Sequence, residues 1–218
     1  MKRKVFCIGG LGTDEQIFSR LSISNAKLVT VKWLIPEKKE SFSSYVQRMM
    51  IQVNEPEPIL LGISFGGMVA VEMANHYRIK KAFIISSVKH KYELPLWMKI
   101  LKKIPLHLLL KPKPNKLIYP IEDFFLGAND PQTKNLAAYY RENIHQDYLQ
   151  WAIHEIINWQ NVTIPQNLIH IQGTADRVFP LRNMKVDFRV EKGKHFMIYN
   201  RSADISIIIN KELENMNE

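Results

Sequence analysis

Pro58-Ile59-Leu60-Leu61-Gly62-Ile63-Ser64-Phe65-Gly66-Gly67 passes from a short apolar run into a serine flanked by glycines, and then into the helix-forming Met68-Val69-Ala70-Val71-Glu72-Met73-Ala74. A strand that turns at once into a helix forces its turn residue into a strained backbone, and glycines two before and two after remove the Cβ atoms that would clash there. The serine hydroxyl is thereby raised above the strand end, as the G-x-S-x-G pattern requires when it lies between strand and helix. A glycine-rich packing turn would produce the same five letters, so the context carries the reading.

Outward from this point, short β-branched runs alternate with helical patterns, the signature of βαβ units and a parallel sheet. Strands are expected at 3–8, 27–33, 58–63, 81–86, 167–172 and 185–190. The fold class is therefore α/β, a doubly wound, mostly parallel sheet of six strands. Thr13-Asp14-Glu15-Gln16 has capping-box spacing and predicts a first helix, and Ser41 or Ser43 caps a second running to Val53. A third runs from Phe65 to His76. After the strand at 81–86 some eighty residues pass before the next, broken by Pro105, Pro112, Pro114 and Pro120. That gap is too long for a simple crossover, so residues 88–145 are expected to form a helical lid inserted before the penultimate strand of a single 1–218 domain. Helices at 147–160 and 202–215 follow from apolar residues at helical spacing.

A serine hydroxyl is a weak nucleophile at neutral pH and needs a base, with a third group to orient that base. Gly173-Thr174-Ala175-Asp176-Arg177-Val178-Phe179-Pro180 puts Asp176 in a loop just past an expected strand, and Gly193-Lys194-His195-Phe196 does the same for His195. Open α/β sheets gather their working groups at such carboxyl ends. A loop aspartate is ordinarily a turn former and a loop histidine is ordinarily solvated, but Ser64, Asp176 and His195 also stand in the serine, acid, histidine order of one hydrolase fold. Glu93 is the alternative acid. An oxyanion needs amide donors, which Leu11 in Gly9-Gly10-Leu11-Gly12 and Phe65 at the helix start are placed to supply. The glycine loop fits neither dinucleotide nor Walker phosphate patterns. His170 lies mid-strand and reads as packed.

These motifs make the chain resemble the α/β-hydrolase superfamily over nearly its whole length. By motif, the resemblance implies Ser64 as nucleophile, Phe65 and Leu11 as oxyanion amides, Asp176 as acid and His195 as base. The opening hairpin of many members is absent, which implies a reduced sheet in the family order 4-3-5-6-7-8. Gly9 stands where many members have the histidine of a His-Gly motif. The implied function is a serine esterase or thioesterase acting on a small or medium acyl substrate. A non-catalytic small-molecule binder and a same-fold lyase are the alternatives. Trp97, Phe124, Phe125, Tyr139, Tyr140 and Trp151 are the candidates to line an acyl pocket.

Composition narrows the remaining classes. Hydrophobic residues make up 46% and charged residues 23%, an ordinary globular balance, and no apolar run reaches membrane-spanning length. The apolar stretch after Lys2-Arg3-Lys4 ends after four residues, short of a signal peptide, and with the lone Cys7 this predicts a cytoplasmic protein. Neither metal nor cofactor is called for, since a triad works without one and no metal-ligand spacing is present. The net charge of +9 is concentrated: residues 89–116 hold eight lysines against one acid, Glu93. Arginines and stacking aromatics interleaved for nucleic acid are missing, so no nucleic-acid partner is expected. The same segment is amphipathic through Trp97-Met98, Ile100-Leu101 and Leu108-Leu109-Leu110, which predicts weak contact with anionic lipid or an anionic substrate.

Overall fold

The structure is a computed structural model that describes residues 2–103 and 116–216. Its strands are β1 Arg3–Ile8, β2 Ala26–Val31, β3 Ile59–Ile63, β4 Lys81–Ile85, β5 Leu168–Gly173 and β6 Phe188–Val190. All pair in parallel, in the order β2-β1-β3-β4-β5-β6. The central strands are apolar on both faces because helices cover both. On one face Phe6, Ile8, Leu60 and Ile84 pack with helices α1 Phe42–Met50, α2 Phe65–His76 and α6 Gln146–Asn158. On the other, Val5, Cys7, Leu61, Phe83 and Ile85 pack with α5 Pro131–Asn143 and α8 Ser202–Glu214. Cys7 is wholly buried there, and burial pushes its thiol up to about 12, which leaves it neutral.

The connection from β4 to β5 carries α3 Leu96–Lys103, α4 Tyr119–Leu126, α5 and α6; the short α7 Met197–Asn200 follows β6. The expected helical runs around Leu108-Leu109-Leu110 and the prolines at 105, 112 and 114 lie outside the described residues, as does His107.

Three local expectations are corrected. The Thr13 capping box opens no α-helix: Asp14 caps a single 3-10 turn, Glu15–Phe18, by accepting from the Gln16 amide. Thr13 is turned inward, its hydroxyl and amide both donating to the Gly10 carbonyl, so it cannot act as the cap. β2 ends at Val31, short of 33, because the Gln52 side chain takes over both polar groups of Lys32 where the β1 partner has ended. β6 is only three residues long: ahead of Phe188 the Asp187 amide still donates to the His170 carbonyl, but the Asp187 side chain takes the His170 amide. Ser41 is the α1 cap, accepting from Ser44.

Candidate active site

Sheet register brings the functional loops together. Ile8 sits opposite Gly62, Gly62 opposite Ile84, Ile85 opposite Ile171, and Gly173 opposite Val190. The chain segments that leave these strands therefore emerge along one rim. Ser64 sits at its centre with φ 51° and ψ −119°, a left-handed conformation costly for a non-glycine residue. Two neighbours make it tolerable. A Cβ on Gly62 would lie 2.3 Å from the Gly66 carbonyl oxygen, and one on Gly66 would lie 2.1 Å from that of Gly9. The second contact also locks the start of α2 against the end of β1, and so sets the Gly9–Gly12 loop beside the serine.

The His195 Nε2 stands 3.0 Å from the Ser64 Oγ, and its Nδ1 stands 3.0 Å from Asp176 Oδ2 and 3.3 Å from Oδ1. With the Nδ1 proton donated to the carboxylate, Nε2 is left as the acceptor for the serine hydroxyl; the tautomer follows from the hydrogen-bond network. Both groups are nearly enclosed, Asp176 at 5% and His195 at 6% exposure. Asp176 Oδ1 accepts from the amides of Val178 (2.8 Å) and Phe179 (2.9 Å), and Oδ2 accepts from Gln172 Nε2 (3.0 Å). Four donors thus surround one buried carboxylate, which keeps a charge there without leaving a lone pair stranded. Glu93 lies apart from this line, its carboxylate closing a turn on the Lys89 amide and pairing with the Lys89 ammonium.

The amides of Leu11 and Phe65 donate to no protein acceptor among the described residues. Gly10 lies close enough to Ser64 that a Cβ on it would sit 3.6 Å from the serine Cβ. The Gly10 carbonyl is held by Trp33 Nε1 (3.0 Å) as well as by Thr13, and the Trp33 ring stacks on Phe65 with centroids 5.4 Å apart. One tryptophan therefore braces both amide-bearing residues.

Ser64 and His195 open into a cavity of about 850 Å³, within the range of small-molecule sites. Its walls include Leu11, Ile17, Ile63, Ile118, Ile121, Leu126, Ala137, Leu149 and Ile153. Of the expected pocket aromatics, Trp97, Phe125 and Tyr140 line it. Phe124, Tyr139 and Trp151 do not. Phe124 points outward beneath the Arg177 guanidinium, Tyr139 is exposed, and Trp151 belongs to a core cluster with Tyr45 and Phe42, its Nε1 donating to the Glu40 carbonyl. A helical aromatic faces one direction only, and spacing alone left that direction open.

Gln172, Trp33 and Ser87 carry no motif that marks them in the sequence. Ser87 donates to the Ser64 carbonyl at 2.7 Å and accepts at its own carbonyl from the buried His170 ring. The available signal was the pair of polar residues His170 and Gln172 alternating within the apolar strand Leu168-Ile169-His170-Ile171-Gln172: buried polar groups need partners. Among the described residues, no cluster of three His, Cys, Asp or Glu side chains is placed to hold a metal ion, and no helix is long and apolar enough to cross a membrane.

No family model and no curated protein sequence matches this chain. Solved structures do match. An esterase from Thermogutta terrifontis is similar with a TM-score of 0.74 at 10% identity, over 99% of this chain and 91% of that one. An esterase from Exiguobacterium antarcticum gives 0.71 at 11% identity, over 99% and 92%. A meta-cleavage product hydrolase from Pseudomonas fluorescens gives 0.69 at 12% identity, over 98% and 91%.

Proposed function

Because the chain has the α/β-hydrolase fold, we propose that it is a serine hydrolase cleaving a small or medium carboxylic ester or thioester through an acyl-enzyme on Ser64. The observation that carries the reading is the unbroken line Ser64 Oγ, His195, Asp176 at one rim, opening into an apolar cavity. In the forward step Ser64 Oγ attacks the acyl carbon while its proton passes to His195 Nε2. The charge on the carbonyl oxygen is taken up by the Leu11 and Phe65 amides, and Asp176 stabilises the imidazolium. Collapse expels the alcohol or thiol, which leaves with the proton from His195. Water then adds to the acyl-enzyme by the same route, its proton going to His195 and on to the Ser64 oxygen as the carboxylic acid departs.

The two esterase neighbours support an ester substrate by analogy of fold. Residues 88–145 act in this reading as a lid over the cavity, which Trp97, Ile121 and Phe125 of their described helices line. A cytoplasmic site of action is supported by the single, buried Cys7. The test is labelling by a fluorophosphonate, which should modify the wild type and not Ser64→Ala, followed by turnover of a panel of acyl esters and thioesters. A folded wild type that stays unlabelled and turns nothing over would refute the proposal. Elimination products in place of hydrolysis products would reassign it to a lyase.

A further inference from the structure

The last carbonyls of a helix have no partner within it, and their donors must come from elsewhere. Helix α4 takes two of its donors from the loops that carry Asp176 and His195. Gly127, at φ 75°, ends the helix, and its amide and that of Ala128 both donate to the Asp123 carbonyl, at 2.7 and 2.9 Å. The Phe124 carbonyl accepts from Arg177 Nη1 at 2.9 Å, and the guanidinium lies 3.9 Å from the centre of the Phe124 ring. The Leu126 carbonyl accepts from the Phe196 amide, also at 2.9 Å. Gly127 approaches the histidine loop so closely that a Cβ on it would sit 2.4 Å from the Lys194 Cβ. Residues 177, 194 and 196 are the chain neighbours of the acid and the base. One helix end is thus fixed to both.

The same helix forms part of the cavity wall. Ile121, Phe125 and Leu126 line the cavity, whereas Phe124 and Arg177 do not. On its other side, Glu122 and Asp123 pair with Arg141 of α5 at 2.7 and 2.5 Å, so α4 is held between α5 and the two loops. An acyl group resting on Ile121 and Phe125 therefore presses on an element bonded directly to the residues that flank Asp176 and His195.

We propose that Arg177 is a specificity-determining positioning residue: it fixes α4 to the acid loop, so that an apolar acyl group filling the cavity against α4 holds His195 and Asp176 in line with Ser64. The inference rests on the hydrolase reading. Arg177 touches neither the substrate nor Ser64 and acts through α4. Binding energy from a remote part of a substrate raises kcat when it is realised as orientation at the reacting centre, and only lowers KM when it is not. The tie at Arg177 puts acyl length into kcat. A guanidinium suits this place because its plane covers the ring while its edge donates to the carbonyl.

The experiment measures kcat and KM for p-nitrophenyl esters, from acetyl upward in chain length, with wild type, Arg177→Met, Phe124→Ala and the double variant. In wild type kcat/KM should rise about fourfold for each methylene that reaches the wall, and kcat at the best length should exceed that for acetyl by roughly tenfold. Arg177→Met should bring that kcat ratio down to about one to two while changing kcat for acetyl less than about threefold. Phe124→Ala removes the ring and leaves the carbonyl, so it should lower the ratio by about twofold or more. The double variant should match Arg177→Met, because both changes release one tie. Neither side chain lines the cavity, so an effect on acyl selection has to pass through α4. A wild-type kcat that ignores acyl length, or a ratio retained in Arg177→Met or in Phe124→Ala, would overturn the proposal. So would a loss by the same factor for every ester, since that reports only damage to the acid loop. Fluorophosphonate labelling of the wild type reports separately on Ser64: an unlabelled protein removes the hydrolase reading itself, whereas a labelled one with the same length profile in all variants removes only the role of Arg177.

Discussion

Gln172→Leu removes one side-chain amide whose two hydrogen bonds run to Asp176 Oδ2 (3.0 Å) and to the Phe179 carbonyl (2.7 Å). Leucine keeps much of the volume and takes away both donors. A hydrogen bond to a charged group contributes about 1.5–3 kcal/mol, and a buried carbonyl left without a partner costs about 1–3 kcal/mol. Partial relaxation around the Phe179 carbonyl reduces the sum, so the expected loss of stability is about 2–4 kcal/mol, read as a lower urea midpoint. The effect on catalysis follows from which oxygen is released. Oδ1 keeps the Val178 and Phe179 amides, but Oδ2, the oxygen nearer His195 Nδ1, loses its other donor among the described residues. Turnover should fall roughly 10- to 100-fold with KM within about twofold, well short of the ~10⁴ expected when the acid itself becomes an amide. The deciding assay is a double-mutant cycle on ester turnover. In an Asp176→Ala background, Gln172→Leu should cost almost nothing further, because the oxygen it positions is gone. An equal loss in both backgrounds, or unchanged turnover in a destabilised protein, would refute the positioning role.

Gly66→Ala sets a methyl 2.1 Å from the Gly9 carbonyl oxygen and 2.3 Å from that of Ile8, both backbone atoms that cannot swing aside. It should destabilise by about 1–3 kcal/mol, with Tm lowered by roughly 2–12 °C in a thermal melt; an unchanged melt would show that β1 and α2 need not touch there. His170 is buried, and burial first, then the nearby Lys89, pushes its pKa down to about 3. The unfolded chain, with an ordinary histidine near 6.5, takes up this proton first. The neutral ring's contribution to stability is therefore whole above about pH 6.5 and is lost toward pH 3, at about 1.4 kcal/mol per unit. Urea midpoints at pH 7 and pH 5 should diverge more for wild type than for His170→Gln, and equal differences would exclude the histidine as their source.

Much of the site is legible in the chain because its signals are local. The left-handed turn at Ser64 follows from the steric demands of a strand entering a helix at once, and Gly62 and Gly66 announce it. The strands show as apolar runs because both faces of the sheet are covered. Where local pattern misleads, a distant group has intervened: Thr13 is drawn to the Gly10 carbonyl instead of capping a helix, and the end of β2 is taken over by Gln52.

The sequence by itself determined the alternation of strands and helices, the strained serine turn and the presence of a carboxylate and an imidazole just beyond two strand ends. Backbone sterics and hydrophobic period act over a few residues, and so are written locally. Only the tertiary structure decided that these ends share a rim, that Gln172 holds the acid while Trp33 braces the amide loop, and which of six aromatics face the cavity. Those outcomes depend on register between strands far apart in the chain and on the rotation of each helix against its neighbours. Packing sets both, and no short stretch of residues encodes either.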